Sequence, residues 1–360
     1  MALIKCTLGS LIEQSTDTNT DLLYGADTVR GMTITKQIIP TKADVSATDL
    51  SKFLVVSPRE FVYNPRTHGK KIGFGYNDSS DTFLISWNNI AFRVKPEKRR
   101  EVLPEYLFLH FNRSEWDREA CYRSWGSSTE VFSWDALCEM EIILPPIEIQ
   151  QKYVNIYNAM VANQRSYERG LEDLKLACDG YIENLGKEHT PEPIGKYLLM
   201  SDKRNDLGLG VDLVRGLSVS KEMILTKADM DGVGLSNYKI VPPRHIAYVP
   251  DTSRRGDKVS LGFNNTEETY LLPDYLMLFF TRSEFDRYAR FHSWGSARET
   301  FDWDEMCDVY IPLPSINVQQ YIANIFVVYQ LRKEINEQLK AQIRNICPIL
   351  IKGSIDEASA

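Results

Sequence analysis

The sequence predicts an α+β chain built from two copies of one domain-plus-helix unit. Three observations predict it. Blocks of identical residues recur in the same order in both halves, and each half begins with short β-branched and aromatic runs broken by Gly, Pro, Asn and Asp. Each half then closes on a long stretch in which apolar residues keep heptad spacing. Residues 1–146 are expected to form the first domain, 147–190 a central helix, 191–314 the second domain and 315–352 a C-terminal helix.

The duplication can be followed residue by residue. Val29-Arg30-Gly31 returns as Val214-Arg215-Gly216, Thr41-Lys42-Ala43-Asp44 as Thr226-Lys227-Ala228-Asp229, and Pro58-Arg59 as Pro243-Arg244, all 185 positions apart. Ile72 to Asn77 matches Val259 to Asn264 at 187 positions. From Leu103-Pro104 and Leu272-Pro273 onward the separation is 169 and takes in Arg113 to Arg118 with Arg282 to Arg287. It also takes in Ser124-Trp125-Gly126-Ser127 with Ser293-Trp294-Gly295-Ser296. The second copy is therefore about 18 residues short between Thr269 and Leu272, where the first has strand-like Thr82 to Trp87, Ala91 to Val94 and a charged turn from Lys95 to Arg100. Loss of a central strand is costly, so residues missing from the sequence at that point are suspected.

Within one copy the elements follow in order. Lys52 to Val56, Glu60 to Tyr63, Ile72 to Tyr76 and Phe83 to Trp87 read as strands, as do Tyr238 to Val241 and His245 to Val249 in the second half. Leu103 to Asn112 and Ser114 to Ser124 read as helices. Pro104 suits a first helical position, and Ser114 with Asp117 resembles a capping box. After each domain comes a heptad helix. The first has Tyr153, Met160, Tyr167, Leu174 and Tyr181 in one seam and Ile156 or Tyr157, Leu171, Cys178 and Leu185 in the other. The second has Val318, Ile322, Ile325, Tyr329, Ile335, Leu339, Ile343 and Ile346. At ~1.5 Å per residue, about 35 residues span ~50 Å, more than a domain of this size needs for its own core.

Composition sets the outer limits. A chain of 360 residues, 43% hydrophobic and 25% charged, can bury two or three cores, and this excludes a disordered tail, a collagen-like chain or a disulfide miniprotein. No run of about 18 apolar residues and no secretory leader is evident, so no membrane span and a cytoplasmic location are expected. Cys6, Cys121, Cys138, Cys178, Cys307 and Cys347 stand far apart, without zinc-ligand spacing, and are expected as reduced, mostly buried thiols. A net charge of -7 argues against holding nucleic acid by bulk charge, though not against a local basic surface.

The chain resembles the specificity (S) subunits of type I restriction-modification systems. The resemblance rests on Leu144-Pro145-Pro146-Ile147-Glu148-Ile149-Gln150 and Leu313-Pro314-Ser315-Ile316-Asn317-Val318-Gln319, each opening a long helix, and on Asp27 to Gly31 and Asp212 to Gly216 near the domain starts. It covers essentially the whole chain and departs from the family pattern at Ser315 and in the short second domain. It implies two target-recognition domains, each reading half of a split double-stranded DNA target in the major groove. It also implies two helices packed as an antiparallel coiled coil that fixes the gap and docks two methyltransferase (M) subunits. Restriction/translocase (R) subunits would complete the complex, and the partners would bind S-adenosylmethionine and ATP. The chain itself is expected to need no cofactor or metal.

DNA reading needs cations for phosphates and forked donors for base edges. Two clusters qualify, at equivalent places in the halves: Arg66, His68, Lys70 and Lys71, and Arg254, Arg255 and Lys258. The plain alternative is a solvated turn. The segment after Ser-Trp-Gly also qualifies: Ser127, Ser128 and Thr129 in one half, Ser296 and Arg298 in the other, with a helix C-terminus capped at Gly126 and Gly295 as the bland reading. Trp125 and Trp294 are expected in the core. Lys98, Arg99 and Arg100 suit phosphate contact or a charged hairpin tip equally. Arg113, Arg118, Arg282 and Arg287, the same in both halves, cannot supply different base choices, so structural pairing or phosphate contact is expected of them.

No methyltransfer Asn-Pro-Pro-Tyr or Asp-Pro-Pro-Tyr, phosphate loop, His-Glu-x-x-His or Gly-x-Ser-x-Gly occurs, so no catalysis by the chain itself is expected. Two other readings remain: a coiled-coil protein-interaction scaffold without DNA readout, and a self-contained DNA modification enzyme.

Overall fold

The computed structural model describes residues 3–67, 71–126, 130–243, 245–251, 258–263, 272–295 and 299–360. The chain divides into two units, Met1–Arg165 with Glu337–Ala360, and Ser166–Asn336.

The first unit begins with β1 (Ile4–Thr7), β2 (Ile12–Ser15), β3 (Arg30–Met32), β4 (Ile38–Pro40), β5 (Leu54–Val56), β6 (Phe61–Tyr63), β7 (Phe74–Tyr76), β8 (Phe83–Ile85) and β9 (Ile90–Val94). Helices α1 (Pro104–Phe111), α2 (Ser114–Tyr122) and α3 (Trp134–Cys138) follow, then β10 (Glu141–Leu144) and the long α4 (Ile147–Glu188). An antiparallel sheet in the order β2-β9-β6-β7 forms the centre, with β1 on β10, β3 on β4 and β5 on β8 as smaller pairs. Phe61 faces Phe92 across β6 and β9, with the rings stacked 4.9 Å apart. Phe111 meets Phe61 edge-on at 5.6 Å and Trp116 meets Phe74 at 5.2 Å, so α1 and α2 cover the aromatic face of the sheet.

Pro104 stands in the first turn of α1, where its missing N–H costs nothing. The expected capping box does not form. Ser114 is already the first residue of α2, and the cap is Arg113, which gives no side-chain bond. A side-chain cap appears instead at α3, where Ser133 Oγ accepts from Ala136 N at 3.1 Å.

The second unit repeats the plan with β11 (Glu192–Pro193), β12 (Arg215–Leu217), β13 (Met223–Leu225), β14 (Ile246–Tyr248) and β15 (Leu261–Phe263). Then come α5 (Pro273–Phe280), α6 (Ser283–Phe291), α7 (Trp303–Cys307), β16 (Tyr310–Ile311) and α8 (Ile316–Ser359). The pairs β12-β13, β14-β15 and β11-β16 correspond to β3-β4, β6-β7 and β1-β10. Among the described residues nothing corresponds to β2, β5, β8 and β9; the expected strand from Tyr238 to Val241 is reduced to a single bridge of Lys239 with Arg204, and the suspected gap falls on residues 264–271, outside the described residues.

The long helices run antiparallel within each unit. In the first, Tyr153 Oη donates to Glu357 at 3.1 Å, while Tyr157, one turn further along α4, lies near Cys347, ten residues back along α8. In the second, the Arg332 guanidinium lies 5.8 Å from the Tyr167 ring, and Cys178 and Ile182 share a core with Phe326 and Ile322. The heptad reading needs two corrections. Tyr181 is 44% exposed while Ile182 is buried, and Val318 is 38% exposed while Gln319 is buried. A straight helix of 3.6 residues per turn drifts off a strict seven-residue repeat, so the seam steps sideways by one residue. The C-terminal helix also runs past 352, with Ser354 and Ala358 buried in the first unit.

None of the six cysteines is in a disulfide. Cys178 and Cys347 are buried and the other four only partly, so "mostly buried" was too strong. Among the described residues no helix is long and apolar enough to cross a membrane.

Candidate nucleic-acid interface

In each unit the backbone brings together described residues that flank the two candidate segments. The loop from Asn64 starts with an Asx turn, Asn64 Oδ1 accepting from Arg66 N at 2.9 Å. Arg66 then forms a bridge with Val131, and Val131 forms one with Trp125. Thr67 N donates to Glu130 O at 3.0 Å, and Phe132 N to Pro65 O at 2.8 Å. Trp125 and Val131 exchange both backbone bonds, at 3.0 and 3.1 Å. The result is a small three-stranded ribbon whose outer strands carry the roots of loop 66–71 and of loop 127–129.

The second unit builds the same ribbon from different residues. Asp251 bridges Thr300, Thr300 bridges Trp294, and Phe301 N donates to Pro250 O at 2.8 Å. Asp251 and Gly295, which adjoin the expected contact segments in the sequence, therefore also stand at this ribbon.

Arg66, Lys71 and Lys258 are exposed. The other nine expected contact residues, His68, Lys70, Ser127, Ser128, Thr129, Arg254, Arg255, Ser296 and Arg298, lie outside the described residues. Two expectations for the Ser-Trp-Gly segment are overturned. Trp125 and Trp294 are not core residues; they are 79% and 61% exposed. They sit on an outer strand of the ribbon, and the core positions belong to Trp116 and Phe132 in the first unit and Phe285 and Phe301 in the second. Gly126 and Gly295 do not cap a helix. The helices end at Tyr122 and Phe291, and the glycines, at φ 153° and 143°, turn the chain just beyond the tryptophans.

The repeated arginines are largely structural. Arg113 donates to His110 O at 3.1 Å and to the His110 ring at 2.9 Å. Buried Arg282 pairs with Asp179 of α4 at 3.4 Å. Arg118 and Arg287 are exposed and pair with Glu115 and Glu284 one turn away. In the charged turn Lys98 is held by Glu101 at 2.8 Å, while Arg99 lines a cleft of about 440 Å³ with Arg59 and Arg93.

Sequence reasoning missed what holds the helix pair under the ribbon. Lys36 pairs with Asp117 at 2.7 Å and also reaches Phe111 O, with the ammonium 4.9 Å from the Trp116 ring centroid. Lys221 repeats this with Asp286, Val259 O and the Phe285 ring. Both lysines have left-handed backbone, φ 61° and 63°, and burial pushes both ammonium pKa values down against the pull of the carboxylate. Their recurrence 185 positions apart was the available signal. Among the described residues no group of three His, Cys, Asp or Glu could hold a metal.

No protein-family model matches the chain, and no curated protein matches it. Among solved structures, the type I restriction-modification S subunit from M. genitalium aligns over 98% of this chain and 96% of its own, with TM-score 0.52 at 12% identity. The chain has the S-subunit fold. The HsdS subunit from Thermoanaerobacter tengcongensis covers 98% of the chain and 96% of itself at TM-score 0.39 and 14% identity. A structure described for complex assembly and conformational transition of the type I R-M system covers 98% of each chain at 0.43 and 15%. Among the described residues the ribbon recurs in both units with the same bridge pattern.

Proposed function

We propose that this chain is the specificity subunit of a type I restriction-modification complex, with each unit reading one half of a bipartite DNA target. The observation that carries the reading is the ribbon. In both repeated units it joins residues that flank the expected contact segments, Arg66 with Trp125 through Val131 and Asp251 with Trp294 through Thr300, and the residues of those segments differ between the halves in sequence. Equal scaffolds with unequal loops are what two readers of different half-sites require.

In this reading Arg66, His68, Lys70, Lys71, Arg254, Arg255 and Lys258 meet phosphates and base edges. Ser127, Ser128, Thr129, Ser296 and Arg298 contact bases from the second loop. The antiparallel stretches of α4 and α8 set the gap and dock two methyltransferase subunits, to which restriction/translocase subunits attach. Half-sites one helical turn apart lie ~34 Å from centre to centre, and a 42-residue helix is ~63 Å long. The chain contributes sequence choice without catalysis of its own and works in the cytoplasm.

The test is co-expression with a type I methyltransferase (M) subunit, followed by mapping of methylated genomic sites. A split motif with a fixed gap is expected. A continuous motif, or none, would sink the proposal, and methyl transfer by the isolated chain would favour a self-contained enzyme.

A further inference from the structure

Two aromatic side chains stand exposed beside each ribbon, at equivalent positions. In the first unit they are Tyr122, the last residue of α2, at 83%, and Trp125 at 79%. In the second they are Phe291, the last residue of α6, at 75%, and Trp294 at 61%. Each pair is three residues apart, followed by a glycine at φ 153° or 143° and then by the loop that differs between the halves. A single exposed aromatic needs no explanation, whereas the same two positions left open in both copies do.

We propose that each pair is a sequence-independent DNA contact, packing flat on the deoxyribose faces of the backbone at the edge of each half-site. The proposal rests on the DNA-reading function above and adds a contact that carries no base choice. Three features favour duplex DNA as the occupant. Trp125 and Trp294 are the strand partners of Val131 and Thr300, whose other edges carry Arg66 and Asp251, so in the first unit the aromatic position shares the ribbon with an exposed cation. Aromatic character is kept while the adjacent loop residues change, as suits a backbone contact common to both half-sites. Carboxylates near the pair are already engaged: Glu119 with Arg123 at 3.0 Å, Glu299 with Arg290, and Glu305 with His292 at 3.0 Å and with Trp294 Nε1 at 3.1 Å. Ring faces remain for apolar contact beside the phosphates that the loop cations would neutralise.

The experiment uses the full chain and fluorescein-labelled 30-base-pair duplexes of several sequences, read by anisotropy over a range of salt. Trp125→Ala and Trp294→Ala should each weaken binding about tenfold on every duplex, with unchanged melting temperature, because the rings are exposed. Trp125→Phe should restore most of the loss. The slope of affinity against salt should stay at the wild-type value, since no phosphate contact is removed. If wild type binds duplex and both alanine variants bind as well as it does, the aromatic contact is refuted and the DNA-reading function stands. A loss confined to one DNA sequence also overturns the contact. If wild type binds no duplex, the functional reading falls first and the contact with it.

Discussion

Gln150 Oε1 accepts the backbone N–H of Leu103 at 3.0 Å, and its amide donates to Glu101 O and Pro145 O at 2.9 and 2.8 Å. The glutamine that ends the Leu-Pro-Pro signature thus ties the start of α4 to the start of α1 with a fully buried side chain. Gln150→Leu should cost about 3 kcal/mol in urea denaturation, because one donor and two acceptors lose their partner out of reach of water. Among the described residues Gln319 keeps only the bond to Pro314 O, at 2.9 Å, and its Oε1 has no partner. Gln319→Leu should therefore cost nearer 1 kcal/mol, and equal losses would refute this account of the motif.

The Lys36–Asp117 pair predicts an asymmetry between single and double variants. Lys36→Met leaves a carboxylate in a largely buried site and should destabilise by about 3 kcal/mol. Lys36→Met with Asp117→Leu should recover most of that in the same thermal melts. An additive double variant would mean that the two side chains do not act as a pair.

His110 gives a pH signature. Burial first, then the charges of Arg113 and Lys36, hold its imidazole pKa well below the usual value. The folded state therefore keeps the ring neutral while the unfolded chain takes up a proton near pH ~6.5. The stability this provides is complete above that pH and is lost as pH falls toward the folded value. His110→Gln should flatten the stability slope between about pH 6.5 and pH 5, measured by denaturant midpoints. An unchanged slope would place the titration elsewhere.

Loop substitutions should separate affinity from base choice. Lys71→Ala should weaken binding evenly across sequences and lower the salt slope by about one. Arg298→Ala should relax base preference at one half-site in the methylation map and leave the other unchanged. Relaxation at both would remove Arg298 from the base readers.

Deleting one heptad, residues 168–174 of α4, should change the spacing between half-sites in the methylated motif or abolish assembly. An unchanged gap in an assembled complex would refute the helices as the measuring element.

What could be read from the sequence follows from the range of the interactions. The duplication, the Pro104 start of α1 and most of the heptad seam rest on local patterns, and the fold class followed from them. The Lys36–Asp117 pair and the Tyr106 Oη–Ser354 Oγ bond at 2.6 Å join residues 81 and 248 positions apart, where no local pattern reaches. Trp125 misled because large aromatics are usually buried, and only the ribbon, which turns it outward, decides otherwise. Of the twelve expected contact residues, the structure describes Arg66, Lys71 and Lys258 and finds all three exposed.

The first unit takes Cys347, Leu350 and Ile351 into the same core as Phe61 and Leu107. On the ribosome those residues emerge only after the whole of 166–336 has been made. The first domain must then wait, with Tyr106 and Val154 uncovered, until the second has been synthesised. A chain cut short within α8 would thus lose its first-made domain as well as its last-made helix, so a half-reader able to direct methylation to a truncated target should not accumulate.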